Sequence, residues 1–174
     1  MNGMGKIHLY TGCGKGKTTA AVGLIVRLAG RGGTAVFMQF LKGENSGERA
    51  ALSRLPGVCL PPVPREIKFV FQMSPQEKAA CAQSTRRQFL SACQQAEACD
   101  LLVLDEILDA IETGLLPEAE VLDYLRRKPA SLEVVLTGRR ASAELKEMAD
   151  YVMRVDSEKH PYESGLPARE GIEY

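Results

Sequence analysis

Residues 11–19 read Thr-Gly-Cys-Gly-Lys-Gly-Lys-Thr-Thr, and they separate two stretches of different periodicity. Ahead of them, residues 6–10 alternate apolar and polar side chains and read as a strand. Behind them, Ala20, Ala21, Leu24, Ile25 and Leu28 recur at helical spacing from Lys17 to about Ala29. A glycine-rich turn from a strand into a helix, ending Gly16-Lys17-Thr18, is the context of a phosphate-binding P-loop. Its glycines let successive backbone N–H groups converge on phosphate oxygens, and the helix N-terminus adds a positive dipole. The nucleotide-binding candidates are therefore Gly12, Cys13, Gly14, Lys15, Gly16, Lys17, Thr18 and Thr19. Lys17 is the natural phosphate cation, and the Thr18 hydroxyl is placed for Mg²⁺. The spacing departs from the usual pattern: three residues rather than four separate Gly12 from Gly16-Lys17, and Thr11 stands where the first glycine usually does.

A strand–loop–helix start commits the rest of the chain to burying a parallel sheet, and the pattern downstream agrees. Gly30, Gly32 and Gly33 stop the first helix, and residues 34–41 read as a second strand. Residues 42–47 form a loop, with a short helix over about 48–55. Residues 56–64 hold four of the nine prolines and read as turn or irregular extended chain. Ser74 with Glu77 resembles a capping box with Pro75 at the first helical position, opening a helix to about Cys99. Strands follow at 101–104, 133–136 and 151–155, with helix between them interrupted near Gly114 and Pro117, and again over 143–149. The fold class is α/β, a mainly parallel sheet covered on both faces, and 174 residues suit one domain over 1–174.

The second acidic element is Leu101-Leu102-Val103-Leu104-Asp105-Glu106. An apolar strand ending in carboxylates beside a P-loop is where Mg²⁺ is held in this class, so Asp105 and Glu106 join Thr18 as metal candidates. Glu106 has a second possible role, positioning an attacking water in an ATPase. Arg139, after Thr137-Gly138 at a strand's carboxyl end, is a candidate phosphate contact. Lys42 and Arg49 follow the second strand and are weaker candidates. His8, His160, Arg140 and the Arg86-Arg87 pair read as structural or solvated.

Composition excludes several classes. Lys plus Arg and Asp plus Glu both number 22, so no electrostatic footprint for nucleic acid exists. The apolar runs fall short of the ~20 residues a membrane helix needs, and no secretory signal precedes the loop. Five cysteines, an odd number with no Cys-x-x-Cys pair, read as free thiols in a reducing cytosol. A cytoplasmic protein without membrane or nucleic-acid partner is expected.

Several pieces in this order resemble the ATP:corrinoid adenosyltransferases of the P-loop, RecA-like type. They are Thr11 to Ala21, Gln39-Phe40-Leu41-Lys42-Gly43, Gly47-Glu48-Arg49, Val103-Leu104-Asp105-Glu106, Leu136-Thr137-Gly138-Arg139, Lys159-His160 and Gly171-Ile172-Glu173-Tyr174. The shortened loop is itself the family's form. The resemblance implies a three-layer P-loop NTPase (RecA-like) fold, with ATP in a reversed orientation that exposes its ribose 5′ carbon. A Co(I) corrinoid attacks that carbon, a cobalt–carbon bond forms, and triphosphate leaves. It also implies that Phe69 and Phe71, in Lys68-Phe69-Val70-Phe71-Gln72, displace the corrinoid's lower axial ligand; the second aromatic is commonly Trp, which this chain lacks. From pattern alone, Phe69 and Phe71 read as one face of a strand. A reduced flavoprotein electron donor and a homodimer are further implications. Family members carry an N-terminal extension that helps cover the corrinoid, whereas few residues precede Lys6 here. An ordinary ATPase or small-molecule kinase, and a non-catalytic nucleotide switch or corrinoid carrier, are the competing readings at this level.

Overall fold

The computed structural model describes residues 3–173. Six strands, Ile7–Thr11 (β1), Ala35–Gln39 (β2), Val58–Cys59 (β3), Leu101–Asp105 (β4), Glu133–Thr137 (β5) and Tyr151–Arg154 (β6), form one sheet in the order β3-β2-β4-β5-β1-β6. Each neighbouring pair is parallel. The helices are Lys17–Ala29 (α1), Gly47–Leu52 (α2), Pro75–Ala96 (α3), Ile107–Glu112 (α4), Glu118–Arg127 (α5) and Ala143–Met148 (α6).

Strand periodicity sorts the core into two layers. On β4, Leu101 and Val103 point to one face, where they join Ala35, Phe37 and Val135 under Ala21 and Ile25 of α1 and Leu52 of α2. Leu102 and Leu104 point to the other face, with Val36, Met38, Val134 and Leu136, beneath side chains of α3, α4, α5 and α6. A strand buried on both faces has no polar side to show, which is why residues 101–104 are continuously apolar. Each such fully buried Leu or Val contributes about 1.5–3 kcal/mol relative to exposure. The result is a three-layer α/β sandwich.

Helix ends follow their local chemistry. The Ser74 hydroxyl accepts the Glu77 N–H at 3.2 Å, and the Glu77 carboxylate accepts the Ser74 N–H at 2.9 Å, so the expected capping box opens α3. Pro117 sits at the N-cap of α5, separating it from α4 after the left-handed Gly114. Among the described residues, no helix is long and apolar enough to cross a membrane.

Two local expectations are corrected. The proline-rich stretch 56–64 contains the short strand β3, paired to β2 through Ala35↔Val58 and Val36↔Cys59. Phe69 and Phe71 do not line a strand: residues Val70–Gln72 form a 3₁₀ turn and both rings are exposed.

The sheet's carboxyl edge is unlike its interior. Thr11, Gln39, Asp105 and Thr137 end β1, β2, β4 and β5, and all four are buried polar residues. This row, together with the start of α1, forms the floor of the site.

Candidate active site

The loop between β1 and α1 wraps the first turn of the helix. Gly16 caps α1 in a left-handed conformation (φ 115°), and Lys17 and Thr18 begin it. The Lys17 ammonium turns back over the loop and donates to the Gly14 carbonyl at 2.8 Å. On its other side the loop is backed by the end of β6: the Gly14 N–H donates to the Val155 carbonyl at 2.8 Å. A Cβ at Gly14 would lie 2.8 Å from that same oxygen, so the close approach requires glycine there.

Asp105 is the hub of the floor. It is fully buried, yet each carboxylate oxygen has partners. The Thr18 and Thr137 hydroxyls donate to Oδ1 at 2.9 and 2.7 Å, and the Gln39 amide donates to Oδ2 at 3.2 Å. The Lys42 ammonium lies 3.6 Å from Oδ2 and 3.3 Å from Oε1 of Glu106. Glu106 adopts a left-handed backbone (φ 61°) at the N-cap of α4, and its N–H donates to the Thr137 hydroxyl at 2.9 Å. Burial pushes the Glu106 carboxyl above its ordinary pKa; Lys42 opposes that and Asp105 adds to it. Burial likewise disfavours the Lys42 ammonium, but the Asp105 and Glu106 charges outweigh it and the net shift is upward.

This donor set fits a divalent magnesium ion. A hydroxyl and two carboxylates are hard oxygen donors, and Mg²⁺ characteristically takes one or two carboxylates and completes its shell with phosphates and water. Among the described residues, no group of three or more His, Cys, Asp or Glu side chains that could hold a metal ion by itself occurs.

Above the floor lies a cleft of about 1160 Å³. Gly14 through Thr19 line it, and so does the 67–71 segment with Phe69 and Phe71. The two rings are stacked, centroids 5.5 Å apart at 19°, and are 69% and 83% exposed. Glu106, Thr137 and Arg139 also line the cleft. Arg139 is held by Asp109: its Nε donates to Oδ1 at 2.6 Å and its backbone N–H to Oδ2 at 3.1 Å. The tail returns over the phosphate loop, where Glu173 accepts from Lys15 at 2.9 Å and from Arg169 at 3.1 Å. Those contacts hold the Glu173 carboxyl down to about 2, Arg169 contributing most. Tyr174, the last residue of the tail motif, lies outside the described residues.

Most sequence candidates thus meet around one space, with differences of depth. Asp105 lies buried beneath the cleft, and Gly12 and Cys13 of the loop do not line it. Lys42, read from sequence only as a weak candidate, stands at the acidic pair. Asp109, not singled out at all, orients Arg139; one turn beyond Asp105-Glu106 on α4, its position was the available signal. Arg49 instead donates to the Pro61 carbonyl at 2.8 Å and ties α2 to the proline-rich stretch. His8 stacks on Tyr151 with centroids 4.4 Å apart, His160 caps the 3₁₀ turn Pro161–Ser164, and Arg86 pairs with Glu120. None of these three lines the cleft.

Relatives match this sequence over nearly its whole length. A family model described as ATP:corrinoid adenosyltransferase BtuR/CobO/CobP matches residues 3–174. A corrinoid adenosyltransferase of Sinorhizobium sp. is 35% identical over 180 residues, covering 98% of this chain and 80% of that protein. Corrinoid adenosyltransferases of Escherichia coli K12 and Salmonella typhimurium are each 33% identical over 174 residues, covering 98% of this chain and 86% of theirs. By the extent of these matches, the chain belongs to the ATP:corrinoid adenosyltransferase BtuR/CobO/CobP family.

Proposed function

We propose that this chain transfers the 5′-deoxyadenosyl group of ATP to the cobalt of a Co(I) corrinoid, releasing triphosphate, in adenosylcobalamin biosynthesis or salvage. One observation carries the reading: the phosphate loop and the stacked Phe69–Phe71 pair line one and the same cleft. A polyanion-binding loop and an exposed aromatic pair in one cleft suit two substrates of those two characters.

The chemistry asks little of a general base, because Co(I) is itself a strong nucleophile. The cobalt–carbon bond forms as the bond from C5′ to the triphosphate oxygen breaks, and the electron pair leaves with triphosphate. Stabilising that leaving charge is the protein's task, served by the loop N–H groups of Lys15, Gly16, Lys17, Thr18 and Thr19, by the Lys17 ammonium and by Arg139, whereas the Gly12 and Gly14 N–H groups are taken by the Arg139 and Val155 carbonyls and hold the loop in shape. Thr18, Asp105 and Glu106 would hold Mg²⁺, which supplies further charge neutralisation at the phosphates. Asp109 keeps Arg139 turned to the cleft. Phe69 and Phe71 present two apolar faces that exclude water and a nitrogen ligand from the lower face of the corrin. Holding both substrates in line supplies the remaining acceleration.

The same reading extends to context. We infer one domain over 1–174, supported by a single sheet shared by both helical layers. A homodimer is supported by the exposed edge strand β6, where Tyr151, Val152 and Met153 are all uncovered. A cytoplasmic location and a reduced flavoprotein as electron donor complete it.

The test is an anaerobic reaction of the protein with Mg-ATP and chemically reduced cobalamin. Light-sensitive adenosyl-corrinoid with stoichiometric triphosphate is the expected outcome. Orthophosphate with unchanged corrinoid would instead identify an ATPase.

A further inference from the structure

We propose that Lys42 is a tethered counter-cation that occupies the place of the divalent ion beside Asp105 and Glu106, and yields it only when metal arrives with triphosphate. The proposal rests on the reading of Thr18, Asp105 and Glu106 as the magnesium-holding set. It assigns Lys42 a positioning role that the phosphate-loop chemistry does not need.

Geometry carries the argument. The Lys42 ammonium stands within 3.6 Å of Asp105 and 3.3 Å of Glu106, bridging two carboxylates from successive residues. It comes from a different strand. The β2–β4 register sets Gln39 opposite Asp105, and the Phe40 N–H donates to the Asp105 carbonyl at 2.9 Å. The chain then turns at Leu41, which has φ 58°. A bulky residue is a genuine outlier in the left-handed region. Among the described residues, Leu41 and Glu106 are the two non-glycine residues with positive φ. One immediately precedes the cation and the other carries a carboxylate it meets. Two unfavourable backbone conformations therefore converge on a single ion cluster, and such outliers persist where the surroundings over-determine them.

The electrostatics explain what the cluster does. Two adjacent carboxylates, one buried and one partly exposed to the cleft, favour a compensating charge beside them. Lys42 supplies it at the high effective concentration of a group on the same chain. A bare divalent ion must displace that ammonium from both carboxylates and leave it only the weaker pull of Glu48. A metal–triphosphate complex brings phosphate oxygens that take over the ammonium as the metal takes over the carboxylates. Lys42 thereby couples metal entry to nucleotide entry.

Mn²⁺ is the probe, titrated against nucleotide-free protein and followed by electron paramagnetic resonance. Lys42→Met and Lys42→Gln are expected to bind Mn²⁺ at least tenfold more tightly than wild type, and Lys42→Arg to remain as weak as wild type. With saturating ATP that difference is expected to disappear or reverse. Thermal melting selects the variants that are folded, and either neutral variant suffices. Equal nucleotide-free affinity in wild type and a folded neutral variant overturns the proposal. Thr18→Ala and Glu106→Gln, measured with Mn-ATP, separate the two layers. If both leave the bound-Mn²⁺ spectrum unchanged, the magnesium-set reading falls and takes this proposal with it. If they alter it while the Lys42 variants gain nothing, the proposal falls alone.

Discussion

Two lysines reach the carboxyl edge of the sheet and meet opposite chemistry. Lys17 arises from the first turn of α1 and rests on a backbone carbonyl of its own loop. Lys42 arises from the end of β2 and rests on carboxylates. Only the first is free to follow developing charge on a leaving triphosphate without first giving up an ion pair. Lys17→Ala is therefore expected to lower the rate of triphosphate release by about a hundredfold or more, the scale of losing one preorganised charge-stabilising donor. Its melting temperature should stay near wild type, because no buried group loses its charge partner. Single-turnover phosphate analysis beside thermal melting checks both halves. A variant that melts early would assign Lys17 to the fold instead.

At the scale of elements, the aromatic wall is positioned by its neighbours. Lys68 pairs with Glu77 at the N-terminus of α3, while Gly43, just past Lys42, packs against the Arg65 backbone. A Cβ at Gly43 would run into the Arg65 carbonyl, and a backbone neighbour cannot move aside cheaply. Gly43→Ala is thus expected to displace the 65–71 segment. It should weaken corrinoid binding tenfold or more while ATP affinity changes less than twofold, as read by separate titrations. The α3 cap gives a pH signature. Lys68 first, and then the Ser74 backbone, hold the Glu77 carboxyl down to about 2. Its folded pKa lies below the unfolded one, so its stabilising contribution is full above the ordinary carboxylate range and fades as pH falls toward about 2. Glu77→Gln should accordingly unfold at lower urea than wild type at neutral pH and approach wild type in strong acid. Ser74→Ala, removing the other half of the box, should cost about 1 kcal/mol.

The whole molecule is a parallel sheet between two helical layers, with its chemistry along one edge, and much of that could be read from the chain. The continuous apolar run of 101–104, the glycine loop and the Ser74–Glu77 box each carry a local signal strong enough to fix an element. What escaped depends on partners distant in sequence. β3 is two residues long and exists through its pairing to β2, so no local pattern announces it between prolines. The turn at Leu41 uses a residue type that gives no hint of a left-handed backbone, and the Lys42 cluster was hidden with it. Asp109 became visible as a partner once β5 and α4 were side by side and Arg139 was seen to reach it. The exposed Phe69–Phe71 pair runs against burial patterning altogether, and in the proposed reading the corrinoid is what covers it. That leaves the transferred carbon as the point on which the account turns. ATP labelled with ¹³C at its 5′ carbon, incubated anaerobically with the protein and a Co(I) corrinoid, places the question on a single atom. A ¹³C resonance in the corrinoid product, at a carbon bonded to cobalt and lost on exposure to light, is the predicted result. Label confined to adenosine phosphates, with the corrinoid unlabelled, would contradict it.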